Sequence, residues 1–407
     1  MPYLLRHSSG FLREYFVYLI PSVLIAYVVL ESYQIDFRPY YIAGRSLLLG
    51  LDPYINHVNE LPAFYVAVNG EDSLGSGFIY PPFATLLFVP FALLSYTQGK
   101  IAYSAVILIV LWLLIFELIK YFQFKTSGAA IVLVMTSFPV LSVFERGQID
   151  ILVCYLTVLS FLAYQTQRRA IMPALWLAIA CCLKIFPGVA LFYYIAQRQW
   201  RLVGYTLGLM GVLWLAPLPY LGRSTYTSYL QRVFPHIFGP LPSAGPISVH
   251  GQGIINNVVI ALEGKGLRAD HDFVNGYMNP FLRDLSWSTL GGLIAFWLLL
   301  YWGRRAAIAP QFFAVLNTIH LFNPQTWIMG LVWYIPLFIQ RFDQANQRGK
   351  LLLVLPLWLP PATNANGMMA YAIALVWAIP RWAQHLTLAA TLPNQQGNHT
   401  LKDQVGE

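Results

Sequence analysis

Few residues in this sequence could do chemistry, and most of them stand at the edges of long apolar runs. Lys184 is the clearest, because it sits in the middle of the apolar segment 170–197 with Pro187 just after it. A lysine at the centre of a membrane segment costs roughly 2.5–3.5 kcal/mol on insertion scales, so it normally faces a polar cavity or a partner. A helix break before Pro187 would bring its ammonium near the outer surface, ready to hold a phosphate; snorkelling to the headgroups is the plainer reading. Asp36 follows the apolar run 15–30 by a few residues and is itself followed by Arg38, Tyr40, Tyr41 and Arg45. If that stretch is helical, Asp36 and Tyr40 share a face, as do Tyr41 and Arg45. Tyrosines would then anchor an interfacial helix while the carboxylate looks toward a cavity. Asp36 could instead simply cap the helix, and position alone slightly favours the cap. In "ERGQID", 145–150, Glu145 and Arg146 can pair with each other, while Gln148 and Asp150 add polar groups that spans seldom carry. His320 reads as a core histidine, and Asp52-Pro53 as a turn.

These groups are carried by a chain built for lipid. Of its 407 residues 57% are hydrophobic and 10% charged, with a mean hydropathy of +0.57. A soluble chain carries about 25% charged residues. Apolar runs of spanning length recur without the alternation of barrel strands, so the expectation is an all-α polytopic membrane protein. The clear runs are 15–32, 101–119, 128–144, 150–165, 202–221, 285–302, 308–322, 326–341, 350–362 and 368–382. Segments 80–95 and 170–197 are ambiguous. Basic clusters fall between runs, where the positive-inside rule expects them, and that placement argues against a nucleic-acid partner for the +8 charge. Placing those clusters in the cytoplasm favours two short helices meeting near "KIFP" in 170–197, and a segment 80–95 that dips in without crossing. The alternative makes 80–95 a full span and 170–197 one tilted helix. Either way about twelve crossings result, with both termini cytoplasmic and the first helix retained.

Two large segments, 33–79 and 222–284, then face the extracytoplasmic side of a single membrane domain, 1–390. Residues 391–407 read as a disordered cytoplasmic tail. Cys154, Cys181 and Cys182 all lie in apolar runs, so no disulfide framework is indicated. No phosphate loop, HExxH, CxxC or GxSxG pattern is present. Without a large cytoplasmic domain to bind a nucleotide sugar, an energy-rich substrate would have to arrive lipid-linked.

At this point the residues resemble a family. "DFRPYYIAGRSLLLGLDPY" followed by "FIYPPFATLLFVPFALL" is similar to the opening of glycosyltransferase family 87. These are polyprenol-phosphate-mannose-dependent α-mannosyltransferases of the integral-membrane GT-C fold. "ERGQIDILVCYLTVLSFLAY" looks like the family's Gly-Gln segment, "LAIACCLKIFPGVALFYYIAQRQWR" like its Lys-x-x-Pro segment, and "NPQTWIMGLVWYIPL" like its Ser-Pro-x-x-Trp-x-His-His stretch. The resemblance runs from about Asp36 to Pro336. Two departures stand out: Ile328, Met329 and Gly330 replace the histidine region, and Asn323-Pro324 stands where Ser-Pro is usual.

The resemblance implies that Asp36 is the catalytic base of an inverting hexosyl transfer, mannose first, from a polyprenyl-phosphate donor to a lipid or glycan acceptor. It places the active site on the extracytoplasmic face of the cell membrane. Lys184 and then Arg146 are the expected partners of the donor phosphate, with Arg38 or Arg45 as substitutes. Tyr40, Tyr41, Tyr80, Gln148, Asp150, His250, Asn323 and Trp327 are expected to contact substrate. No cofactor and no metal site are expected, although five carboxylates in 33–79 keep a divalent metal open. The rivals are a flippase of lipid-linked saccharides, the same fold with an arabinosyl or glucosyl donor, and a non-catalytic scaffold. A transporter should carry polar groups near the midplane and comparable openings to both sides; here the inner connectors are short.

Overall fold

The computed structural model describes residues 2–55, 57, 77–122, 127–166, 169–234, 294, 297, 300, 301, 308–318, 328–359 and 366–387. Among these residues every named element is helical, with one isolated bridge between Ala345 and Thr387. The first half runs α1 (Pro2–Glu31), α2 (Phe37–Leu48), α3 (Pro82–Ala92), α4 (Tyr96–Phe122), α5 (Gly128–Met135), α6 (Phe138–Arg146), α7 (Asp150–Thr166), α8 (Ile171–Leu183), α9 (Gly188–Ala196), α10 (Trp200–Leu215) and α11 (Leu218–Ser228). Later come α12 (Ile308–Leu316), α13 (Ile335–Arg341), α14 (Gln347–Trp358), α15 (Asn366–Ala378) and α16 (Pro380–Gln384).

The 27 residues of α4 rise about 40 Å, more than the roughly 30 Å of a hydrocarbon core. Among the described residues α4 alone is long and apolar enough to cross, or up to three spans do if each bent pair counts as one. The expectation of about twelve crossings treated runs 128–144 and 202–221 each as one continuous helix, and the structure bends both. Run 128–144 bends by 42° between α5 and α6, where Pro139 lies in the first turn of α6. Run 202–221 turns by 90° after α10, at Pro217; the stretch that follows kinks at Gly222 (φ 77°, ψ 162°) and ends in a five-residue π-helix at Val233. A proline has no N–H to give and its ring clashes with the carbonyl four residues back, so each breaks its ladder. Within run 326–341 the described residues open on a 3-10 helix, Ile328–Tyr334, that packs against α6.

Both ambiguous segments are settled in their helix content. The 11 residues of α3 rise only about 16 Å, short of a crossing. Segment 170–197 is two helices, broken at Lys184–Pro187, where Lys184 takes an extended backbone (φ −151°, ψ 141°).

The core joins α7 to α8 and α8 to α10, while α2 lies along α3. That last approach depends on Gly44, because a Cβ there would stand 2.8 Å from the Phe88 carbonyl oxygen. Phe37, Tyr40, Phe88 and Tyr103 fill the space between α2, α3 and α4 with stacked rings, such as Tyr40 on Phe88 at 4.4 Å and Phe37 on Tyr103 at 4.8 Å. The chain therefore seats the short polar-edged helix α2 on an aromatic bed, with Asp36 at its first turn.

Candidate active site

Asp36 occupies the N-cap position of α2 but does not cap it: its side chain makes no bond to the helix backbone. The orphan N–H groups of Phe37 and Arg38 are taken instead by the carbonyl of Gln34, at 3.0 and 3.2 Å, which frees the carboxylate. Arg146 Nε donates to Asp36 Oδ2 at 2.5 Å, and its Nη2 to Oδ1 at 3.0 Å. Gln148 Nε2 adds a third bond, to Oδ2, at 2.9 Å. The backbone joins in, since Asp36 N–H donates to the Arg146 carbonyl at 2.9 Å. Arg146 thus pairs across 110 residues and not with its neighbour Glu145, which is exposed.

Gly147 makes this clamp possible. It ends α6 in the left-handed region (φ 75°, ψ 39°), so that Arg146 and Gln148 straddle the turn and both reach Asp36. A Cβ at Gly147 would lie 2.6 Å from Phe37 Cβ and 3.1 Å from the Gln34 side chain. Left-handed backbone costs a non-glycine residue about 1–2 kcal/mol before any clash is counted. Gly147→Ala is therefore expected to lower thermal stability measurably and to cut activity at least tenfold, read by a melting curve beside a turnover assay.

A second ion pair stands next to the first. Asp150 opens α7 and accepts from Lys184 Nζ through both oxygens, at 2.8 and 2.7 Å. Tyr40 and Tyr80 lie beside the pairs, and Tyr54 braces the Tyr80 backbone. Tyr40 OH meets Tyr80 OH at 2.7 Å and Gln148 Oε1 at 3.4 Å, and Tyr54 OH donates to the Tyr80 carbonyl at 2.9 Å. Gln148 gives its N–H to Asp36, which turns its oxygen toward Tyr40, and either phenol of the 2.7 Å pair can donate to the other. Burial, with Tyr80 alongside, pushes the Tyr40 phenol well above its ordinary value, so it keeps the proton it donates. A single internal hydrogen bond contributes about 0.5–1.5 kcal/mol net. Tyr40→Phe should accordingly slow turnover by about three- to tenfold, measured as kcat, with little change in folding.

The structure brings together Asp36, Arg146, Gln148, Tyr40, Tyr80, Lys184 and Asp150. It sends others elsewhere. Tyr41 OH donates to the Leu94 carbonyl at 2.7 Å, and Arg45 Nη1 to the Ala92 carbonyl at 3.3 Å; both brace the end of α3. Nine residues of helix put Arg45 about 13 Å along the axis from Asp36. Arg38 lies near enough to Tyr96 to act on it electrostatically. His250, Asn323 and Trp327 fall outside the described residues, as do most of 222–284 and the tail.

Two site neighbours escape a sequence reading. Gln34, buried with φ 58°, ties α2 to α4 and α6 through Ser104 Oγ (2.8 Å) and the Phe144 carbonyl (2.7 Å). Tyr103 of α4 buries a hydroxyl that makes no hydrogen bond and stacks on Phe37. One signal was available: the tripeptide Gln-Ile-Asp occurs at 34–36 and again at 148–150. Each copy ends in an aspartate that opens a helix and holds a cation.

Fold and site together define a membrane protein, helical among the described residues, with a carboxylate–cation cluster where its helix ends meet. The chain belongs to glycosyltransferase family 87, whose family model matches residues 78–324, more than half of its length. That match begins after Asp36, which is drawn into the family's segment by its bonds to Arg146 and Gln148. A polyprenol-phosphate-mannose-dependent alpha-(1-2)-phosphatidylinositol pentamannoside mannosyltransferase of Mycolicibacterium smegmatis is 23% identical over 352 residues, 81% of this chain and 78% of that protein. An alpha-(1->3)-arabinofuranosyltransferase of Mycobacterium tuberculosis is 26% identical over 210 residues, 50% of this chain and 45% of that protein. A polyprenol-phosphate-mannose-dependent alpha-(1-2)-phosphatidylinositol mannoside mannosyltransferase of Mycolicibacterium smegmatis is 29% identical over 185 residues, 41% of this chain and 39% of that protein.

Proposed function

We propose that this glycosyltransferase moves a mannosyl group from a polyprenyl-phosphate donor to a hydroxyl of a lipid or glycan acceptor, with inversion, at the extracytoplasmic surface of the cell membrane. The observation that carries the reading is Asp36, a part-exposed carboxylate gripped from one side by Arg146 and Gln148. A carboxylate offers about four lone-pair sites. Oδ2 already accepts two bonds and Oδ1 one, so Oδ1 is the atom with room for the acceptor hydroxyl.

In the reaction we draw, that hydroxyl gives its proton to Asp36 Oδ1 as its oxygen bonds to the anomeric carbon. The bond from that carbon to the phosphate oxygen breaks on the opposite face, and polyprenyl phosphate leaves as the anion. Lys184 offers the positive charge that meets this anion, with Arg146 the next nearest cation in the cluster. An apolar cavity of about 280 Å³ between α8, α9 and α10 begins at Ile185, directly after Lys184, and is lined by Cys181, Phe192, Leu207 and Met210 among others. An isoprenoid tail suits such a lining, with its phosphate at Lys184. The scheme routes no step through a metal.

The choice of mannose follows the two mannosyltransferase relatives named above, one of which aligns over 81% of the chain; the arabinofuranosyl relative supports a second reading in which only the sugar changes. Purified protein would be given labelled polyprenyl-phosphate mannose, the arabinose equivalent, and candidate glycolipid acceptors, with and without chelator. Transfer from the mannosyl donor in both buffers is the expected result. Transfer from the arabinosyl donor alone would replace the sugar and keep the mechanism, whereas label crossing a liposome without any acceptor or hydrolysis would make the protein a flippase.

A further inference from the structure

Asp150 was expected to touch substrate, yet its side chain is 3% exposed while that of its partner Lys184 is 20% exposed. The pair therefore presents its cation outward and keeps its anion behind. Lysine has three N–H donors. The two bonds to Asp150 occupy both carboxylate oxygens, and the remaining contact of the ammonium among the described residues is the Phe186 ring at 5.8 Å. One N–H is thus left without a hydrogen bond among the described residues, on a side chain that is 20% exposed.

Lys184 lies in the break between α8 and α9 with an extended backbone. Asp150 is the first residue of α7, which packs along α8. The bonds from Lys184 to both Asp150 oxygens therefore tie the helix break to α7.

We propose that Asp150 is a positioning residue, which grips the Lys184 ammonium from its buried side and aims the third N–H at the phosphate of the lipid-linked donor. This rests on the phosphate role given to Lys184 above. The physical need is clear. A half-buried ammonium deprived of its counter-ion is costly to keep charged, which favours its neutral form. The other ionisable groups acting on Lys184 are Tyr80, ahead of α3, and Asp36, ahead of α2. Asp36 is already committed to Arg146, and the Tyr80 hydroxyl is bonded to that of Tyr40. Asp150 is accordingly the one partner that holds Lys184 both charged and aimed.

The test uses the full-length protein in detergent or nanodiscs, with labelled polyprenyl-phosphate mannose as the probe. Donor KM, acceptor KM and kcat are measured from pH 6 to pH 9 for Asp150→Asn, Asp150→Glu and Lys184→Met, each beside a melting curve. Asp150→Asn is expected to raise donor KM at least tenfold, to leave acceptor KM within twofold, and to add a loss of activity on the alkaline side that the parent protein lacks. The sign follows because without Asp150 burial favours neutral lysine, which forms as pH rises. Asp150→Glu should restore the parent pH profile with an intermediate donor KM. An Asp150→Asn protein that melts lower but keeps the parent donor KM and pH profile would reduce Asp150 to a structural staple and overturn the proposal. If Asp150→Asn does not fold, Asp150→Glu decides alone: an unchanged donor KM overturns the proposal. Normal transfer by Lys184→Met would overturn the phosphate role itself, a failure distinct from that of Asp150.

Discussion

Replacing Asp36 by asparagine should cut sugar transfer by about a thousandfold or more while leaving a folded protein that still binds donor. A positioned general base contributes about 10²–10⁴-fold, and the amide removes that function without removing the shape. Asparagine can still accept from Arg146 Nε and Gln148 through its oxygen, but its NH₂ would then face Arg146 Nη2, so one of the three bonds to the carboxylate is lost. The folded state has other supports at this point. The Asp36 N–H to Arg146 carbonyl bond and the Gln34 carbonyl that caps α2 do not involve the side chain. Turnover therefore falls far more than stability. A variant that transfers within tenfold of the parent rate would show that proton removal lies elsewhere.

The second large effect is expected at Arg146. Arg146→Lys keeps the positive charge but loses the planar fork that gives Asp36 two N–H bonds at once, so this exchange is not conservative. A lysine ammonium also cannot reach Asp36 in the same in-plane geometry, which leaves the carboxylate free to rotate away from the direction of attack. Misplacing a reacting group by about 1 Å can cost on the order of a hundredfold. We expect kcat to fall by about that factor. The pair is part-exposed, with side chains 25% and 22% accessible for Arg146 and Asp36, so screening keeps its contribution to stability small and the melting temperature should move by only a few degrees. Loss of fold in Arg146→Lys at moderate temperature would instead make the clamp structural.

Single residues carried much of this site in the sequence. Lys184 announced itself as a charge inside an apolar run, and the break beside it followed from Pro187. Asp36 stood out by its position after a span, and its role could be separated from helix capping only by where its carboxylate points. What a linear reading could not supply was the pairing. Arg146 has Glu145 next to it in sequence, and only the left-handed turn at Gly147 swings it onto Asp36. Lys184 and Asp150 are likewise joined by the packing of α7 on α8, which no local pattern encodes. Gln34 and Tyr103 remained hidden for a related reason: each looks like an ordinary membrane-interface residue until the aromatic bed under α2 closes over it. Apolar content was legible throughout, but helix continuity was not. Hydropathy counts residues without regard to the lost N–H of Pro217, and so reads a right-angled turn as a straight span.

The central claim places a lipid-linked phosphate and a base on opposite sides of one anomeric carbon. A structure of the Asp36→Asn protein with bound polyprenyl-phosphate mannose tests it most directly. The account predicts a phosphate oxygen at about 3 Å from Lys184 Nζ, the isoprenoid running into the cavity that starts at Ile185, and the sugar's free face turned toward position 36. A donor whose phosphate sits away from Lys184, with its anomeric carbon out of reach of an acceptor held at position 36, would contradict it.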